Sequence, residues 1–146
     1  MEVQRPQTDA DFAQYYELRW QVLRGPWGQP RGSERDEFDS AAGAAEHALM
    51  LDEDGRAVAV GRLHFNSPAE AQIRYMAVHE SARGSGLGRR IVAYLESRAQ
   101  NRGVQRIILN ARDTVAGFYE KLGYRKVGDG PTLFGTVKHV RMEKTW

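Results

Sequence analysis

The stretch that most constrains this chain runs from Gln72 to Leu95. An extended apolar segment, Ile73-Arg-Tyr-Met-Ala-Val78, leads into Arg83-Gly-Ser-Gly-Leu-Gly88 and then into a helical pattern. A strand feeding a glycine-rich turn that opens a helix leaves N–H groups facing solvent at the positive end of the helix dipole, and such a place binds phosphate. The glycines at 84, 86 and 88 let the main chain approach an anion with no Cβ in the way. Arg83, Arg89 and Arg90 add positive charge at the same end. Leu87, Ile91 and Leu95 recur four apart with Gly88, Val92 and Ala99 beside them, which predicts one apolar helix face packed on a sheet. The plainer alternative is a tight turn with ordinary surface arginines. Two phosphate motifs are excluded by spacing, because there is no Gly-Lys-Ser/Thr of a P-loop and Arg89 stands where a dinucleotide fingerprint wants glycine. A diphosphate-type ligand of another kind is left.

The remaining segments predict one α/β domain over 1–146. Val3 to Pro6 reads as a short first strand, and Thr8 as the cap of a helix whose apolar face is Phe12, Tyr16, Trp20 and Leu23. Gly25 and Pro26 end it, and a glycine- and proline-rich loop follows to about Ser33, where Ser-x-x-Asp can start a short helix. Ala48 to Leu51 and Ala57 to Phe65 read as strands about the Asp54-Gly55 turn, and Ala71 to Val78 completes an antiparallel meander. Gly61 marks a bulge or close packing. Beyond the central helix come a buried strand from Val104 to Leu109, a turn at Asn110 to Thr114, a brief helix from Val115 to Leu122, an extended Tyr124 to Val127, a turn at Gly128 to Pro131 and a last strand from Thr136 to Lys144.

Composition narrows the function classes. The net charge is only +2 and the arginines are spread along the chain, which argues against nucleic acid as a partner. The chain has no cysteine, so disulfides and thiolate chemistry are excluded, and no spacing suggests a metal site. No apolar run approaches a membrane span, and the first residues lack a signal-peptide core, so no membrane partner and a cytoplasmic location are expected.

Arg83-Gly-Ser-Gly86-Leu-Gly88 resembles the Arg/Gln-x-x-Gly-x-Gly/Ala signature of the GNAT superfamily of N-acetyltransferases. Met-Ala-Val-His before it, and Asn110 and Phe118-Tyr-Glu-Lys-Leu-Gly-Tyr124 after it, stand at that superfamily's spacing, so the likeness covers about residues 56 to 128. It implies a single-domain α+β fold with a mixed central sheet of about six to seven strands and about four helices. Two parallel strands would part at their C-terminal ends to make a cleft for acetyl-CoA. The pyrophosphate would lie on Arg83, Gly84, Ser85, Gly86, Leu87, Gly88 and Arg89. The pantetheine arm would pair with the main chain of Met76, Ala77 and Val78, with Asn110, Phe118 and Tyr119 beside it.

Acyl transfer from a thioester to an amine needs a neutral amine and a proton for the departing sulfur. By resemblance Tyr119 is the general acid, and its ordinary pKa of about 10 keeps it protonated at neutral pH yet near enough to a thiol to share the proton. Tyr119 could instead only pack against the cofactor. The base is open: by the same resemblance many relatives use a glutamate on or near the strand before the glycine loop, directly or through water, where this chain has Arg74, Tyr75 and Met76. Glu70, His64, His47 and His139 are candidates, with His139 favoured because the last strand should border the acceptor pocket. By resemblance the region after the first helix lines the acceptor pocket, where Glu34, Asp36 and Glu37 could meet a cationic amine or be only a solvated acidic face; Glu34, Asp36 and Arg74 are assigned to the acceptor. A closer likeness links Tyr15 to Arg24, Gly32 to Asp36, Ala59 to Leu63 and Ile73 to His79 with the acetyltransferase-like half of bacterial proteins that carry a hot-dog thioesterase-like domain. The expected activity is therefore acetyl transfer to a primary amine of a small molecule or protein, with homodimerisation left open. A non-catalytic acyl-CoA-binding domain and acyl transfer between thioester carriers are the alternatives.

Overall fold

The computed structural model describes residues 1–41 and 43–146. Helix α1 (Asp9–Leu23) starts at the Thr8 cap, where the Thr8 hydroxyl accepts from the Asp11 N–H and the Asp11 carboxylate accepts in return from the Thr8 N–H. Strands β1 (Ala45–Leu51), β2 (Ala57–Phe65) and β3 (Glu70–Val78) form the meander, and α3 (Leu87–Asn101) follows the glycine turn. A short α2 (Glu37–Ser40) lies before β1, and β4 (Arg106–Arg112), α4 (Ala116–Glu120), β5 (Arg125–Leu133) and β6 (Val137–Thr145) complete the chain. The strand order is β1-β2-β3-β4-β6-β5, with only β3 and β4 parallel. Six strands in a mixed sheet and four helices are what the sequence leads one to expect.

The sheet is covered on both faces. On one side α3 presents Leu87, Ile91, Val92, Leu95 and Ala99 to Ala48, Met50, Ile73 and Ile107. On the other, Tyr15 and Leu18 of α1 pack on Leu49, Val60 and Ala77. Successive β1 residues thus serve opposite cores, as the two-residue period of a strand requires, and β2 is buried from Ala57 to His64.

Two features of β3 shape the cleft. Its pairing with β2 runs Val60↔Ala77 and then Arg62↔Arg74, so β3 spends one residue more than β2 across this interval. Tyr75 lies in this bulge with φ +57°, a left-handed conformation rare for a bulky side chain. Gly61 lies opposite, where a Cβ would stand 2.6 Å from both Ile91 Cγ2 and Met76 Sδ. The parallel pairing of β3 with β4 covers Glu70↔Arg106 to Ile73↔Leu109, and past that point the strands no longer pair.

Several expectations need correction. Val3 to Pro6 forms no strand, only one bridge from Gln4 to Leu49. The short helix begins at Glu37 under an Asp36 cap, and β4 continues through Asn110 to Arg112. The expected turn at Gly128 to Pro131 is strand instead: β5 pairs only with β6, and a strand at the sheet edge tolerates proline and glycine. In α1 the wholly buried face is Tyr15, Leu18 and Arg19, while Trp20 turns to the loop and donates from Nε1 to the Gln29 carbonyl at 3.0 Å.

Candidate active site

The parting of β3 from β4 opens a cleft of about 1130 Å³. That is ample for an elongated ligand plus a second reactant. One end is the glycine turn. Gly84 and Gly86 take φ +81° and +82°, which a side chain would resist, and Gly86 sits at the N-cap of α3 with no side chain closing the helix. The N–H groups from Gly84 to Arg89 donate to no protein acceptor among the described residues; the first intrahelical bond is from the Arg90 N–H to the Gly86 carbonyl at 3.2 Å. This row of donors, with Arg83 and Arg89 on the cleft, fits a diphosphate. Ser85 lies in the same turn but not on the cleft surface, its hydroxyl donating to the Ala82 carbonyl. Arg90 turns away, donating to the Met1 carbonyl at 2.7 Å. Gly88 lets the aromatic side chain of Phe118 lie against the helix start, since a Cβ there would be 3.3 Å from Phe118 Cζ.

Met76, Ala77 and Val78 line one wall and Asn110 lines the facing one. Tyr119 projects from α4 into the cleft, nearly buried, and its hydroxyl has no hydrogen-bond partner among the described residues. Burial pushes this phenol far above its ordinary range, and the nearby Arg112 guanidinium only partly offsets that. The expectation that Tyr119 shares its proton readily with a thiol is thereby weakened. A phenol so raised stays protonated at neutral pH and keeps its O–H to donate.

Of the four candidate bases, only His139 lines the cleft. Its Nδ1 lies 3.0 Å from the Val137 carbonyl and 3.1 Å from that of Pro131. Carbonyls only accept, so this network assigns a proton to Nδ1, and in the neutral ring the lone pair then sits on Nε2. Gly130 permits the close passage of β5, because a Cβ there would be 3.0 Å from His139 Cβ and 3.1 Å from Asn110 Oδ1. Glu70 is taken up by Arg106 and Asn66 at the other end of β3. His64 is buried with its ring 4.2 Å from that of Phe38, and His47 Nδ1 is 2.8 Å from the Tyr15 hydroxyl.

The acidic residues assigned to the acceptor are not free for it. Glu34 is 3% exposed, and its carboxylate accepts from the Gly32 N–H at 2.7 Å and from Arg35 Nε at 3.1 Å. Asp36 caps α2 and pairs with Arg62 and with Arg74, the latter at 2.9 Å, while Asp39 bonds Arg19 and Arg62 at 3.0 Å each. Neither Glu34 nor Asp36 reaches the cleft. Asp36 and Asp39 neutralise Arg19 and Arg62, whose side chains are wholly buried, and Glu34 pairs with Arg35. Arg74 does line the cleft, with 45% of its side chain exposed. The sequence reading missed Arg24, Tyr75 and Arg112, which line it too.

The acetyltransferase (GNAT) family model matches residues 12–124. A provisionally named acetyltransferase of Bacillus subtilis (strain 168) is 32% identical over 145 residues, covering 99% of this chain and 96% of its own length. That near-complete match leaves no counterpart in it for a hot-dog partner domain. Among solved structures, an aminoglycoside 6'-N-acetyltransferase complexed with coenzyme A superposes with a TM-score of 0.83 at 20% identity, covering 99% of this chain and 97% of that one. An aminoglycoside 6'-acetyltransferase type Ii does so with a TM-score of 0.74 at 25% identity, over 99% and 97%.

Proposed function

This chain belongs to the acetyltransferase (GNAT) family, and from that premise we propose that it transfers an acetyl group from acetyl-CoA to the primary amine of an acceptor, a small molecule or a protein. Acetyl-CoA is the co-substrate of the family. The observation that carries the reading for this chain is the row of N–H groups from Gly84 to Arg89, unengaged among the described residues, at the mouth of a gap between two parallel strands, with the Tyr119 hydroxyl likewise unpaired inside it.

Arg83, Arg89 and the turn amides hold the diphosphate in this proposal, and the β3 main chain from Met76 to Val78 holds the extended arm through groups that β4 does not engage. Acetyl-CoA supplies the thioester. The amine attacks in its neutral form; as its nitrogen bonds to the carbonyl carbon and the carbon–sulfur bond breaks, the proton shed by nitrogen passes to His139 Nε2, directly or by way of water, and a proton from that imidazolium or from solvent completes the thiol. Tyr119 donates its O–H to the sulfur. A thiol has a pKa of about 8.5, so complete proton transfer from so weak an acid is uphill. Tyr119 therefore stabilises the developing thiolate by hydrogen bonding, with the Arg112 charge beside it.

Thiol release from acetyl-CoA over a panel of amines tests the reading, run beside Tyr119→Phe. Turnover with at least one amine, and a kcat lower by about tenfold or more in the variant, is expected. Turnover that survives the variant within about threefold removes Tyr119 from the chemistry. Binding of coenzyme A with no turnover on any amine would favour an acyl-CoA-binding domain.

A further inference from the structure

The acceptor side of the cleft carries a charge imbalance. Four guanidinium groups stand against the Tyr75 ring: Arg19 at 4.4 Å from its centroid, Arg74 at 4.6 Å, Arg62 at 5.0 Å and Arg24 at 5.5 Å. The carboxylates that pair with this group are Asp36 and Asp39. Counting also Arg35 and its partner Glu34 gives five cations against three carboxylates, a surplus of two positive charges.

The surplus lies on the cleft. Arg24 is 9% exposed and lines it, donating from Nε to the Ser33 carbonyl and from Nη1 to the Leu23 carbonyl, each at 3.0 Å. No carboxylate pairs with it among the described residues. Arg74 reaches the cleft with its Nη1 held by Asp36 and a little under half of its side chain exposed. Arg112, half-buried with its charge 5.1 Å from the centre of the Trp27 ring, has neither an ion-pair nor a hydrogen-bond partner among the described residues. Not one Asp or Glu of the described residues lines the cleft. Arginine keeps its charge when buried, so an unpaired guanidinium is costly until an anion arrives.

We infer that the acceptor amine carries a carboxylate, held by Arg24 and Arg74 while its amino group points toward the thioester. This rests on the acetyl-transfer reading and names the substrate class for it. A planar guanidinium fork matches a carboxylate with two parallel hydrogen bonds, which fixes the orientation as well as the charge. The acids of the loop have already been taken by Arg19, Arg62 and Arg35, so a polycationic acceptor meets only like charge here.

The test uses calorimetry on the protein loaded with coenzyme A. L-glutamate, 4-aminobutanoate and glycyl-glutamate are each compared with their carboxamides, and spermidine serves as a polycation. At least one acid is expected to bind tenfold or more tighter than its amide, with the margin falling below threefold in Arg74→Gln and in Arg24→Gln. Arg74 is exposed, so its variant remains informative even if Arg24→Gln disturbs the loop. The inference is overturned if no acid outbinds its amide, if spermidine binds best, or if the margin survives in Arg74→Gln and in any Arg24→Gln that folds. Thiol release measured in parallel keeps the two readings apart. Acid preference without turnover on any amine would sink acetyl transfer and leave anionic recognition standing, while turnover confined to cationic amines would do the reverse.

Discussion

Arg62 lies wholly buried on β2 with Asp36 and Asp39 against it, whereas Arg83 and Arg89 at the head of α3 stand exposed beside main-chain N–H groups that donate to no acceptor among the described residues. The residue type is the same and the treatment is opposite. At the α1–α2 side the chain brings its own anions from residues 36 and 39, so Arg19 and Arg62 there are part of the framework. At the glycine turn it brings none, and the positive ends are left for something outside the protein. A count of arginines therefore says little. What separates framework from site is whether the chain supplies the counter-charge.

The largest expected effect breaks the comparison from the framework side. Arg62→Ala takes from Asp36 and Asp39 the buried cation they share, leaving them only Arg74 and Arg19 respectively, and is expected to cost about 3–5 kcal/mol in denaturant unfolding. Arg89→Gln in the same experiment should stay within about 0.5 kcal/mol of the parent. At the other region, Gly86→Asp puts a side chain at φ +82° and a negative charge where the diphosphate is expected. Acetyl-CoA affinity by calorimetry should drop about 100-fold or more, near 2.7 kcal/mol. Unchanged affinity would mean that the free amides are not a site at all.

Acid sharpens the contrast, because the framework holds a neutral histidine. Burial, and then the Arg19 charge, bring His47 down from 6.5 to about 4. The unfolded chain thus takes up this proton before the folded one does. The His47 contribution is complete above about pH 6.5 and is lost progressively as the pH falls toward about 4. It amounts to on the order of 2 kcal/mol after allowance for partial exposure. Unfolding curves at pH 7, 5.5 and 4 should show this loss, and His47→Gln should flatten it. The smallest effect belongs to the exposed cations: Arg89→Gln should weaken acetyl-CoA binding about fivefold, or about 1 kcal/mol, and the difference should shrink in high salt.

What could be read from the sequence was local. The glycines at 84, 86 and 88, the four-residue spacing of Leu87, Ile91 and Leu95, and the Thr8 cap each act within one turn of chain, so their meaning survives without coordinates. Arg19 could not be read as core, because the groups that make its burial tolerable, the Glu34 carbonyl and the Asp39 carboxylate, lie 15 and 20 residues away. For the same reason Glu34 and Asp36 looked available to a ligand. Gly128 to Pro131 misled differently: its residues punctuate turns, and only the place of β5 at the sheet edge makes them acceptable in a strand. Tyr75 carries no sign in the sequence of its left-handed backbone, which depends on the register of β2.

The four paired positions between β3 and β4 are the only seam in the sheet that runs parallel, and it is closed at one end alone. The sheet resembles two pages joined near the spine, and a strand-like guest laid between the free edges would complete the binding. Those amide hydrogens of residues 74–78 and 110–112 that face the gap, and not β2 or β6, should then exchange far more slowly once the guest is in place, so that the enzyme finishes its own architecture with the molecule it consumes.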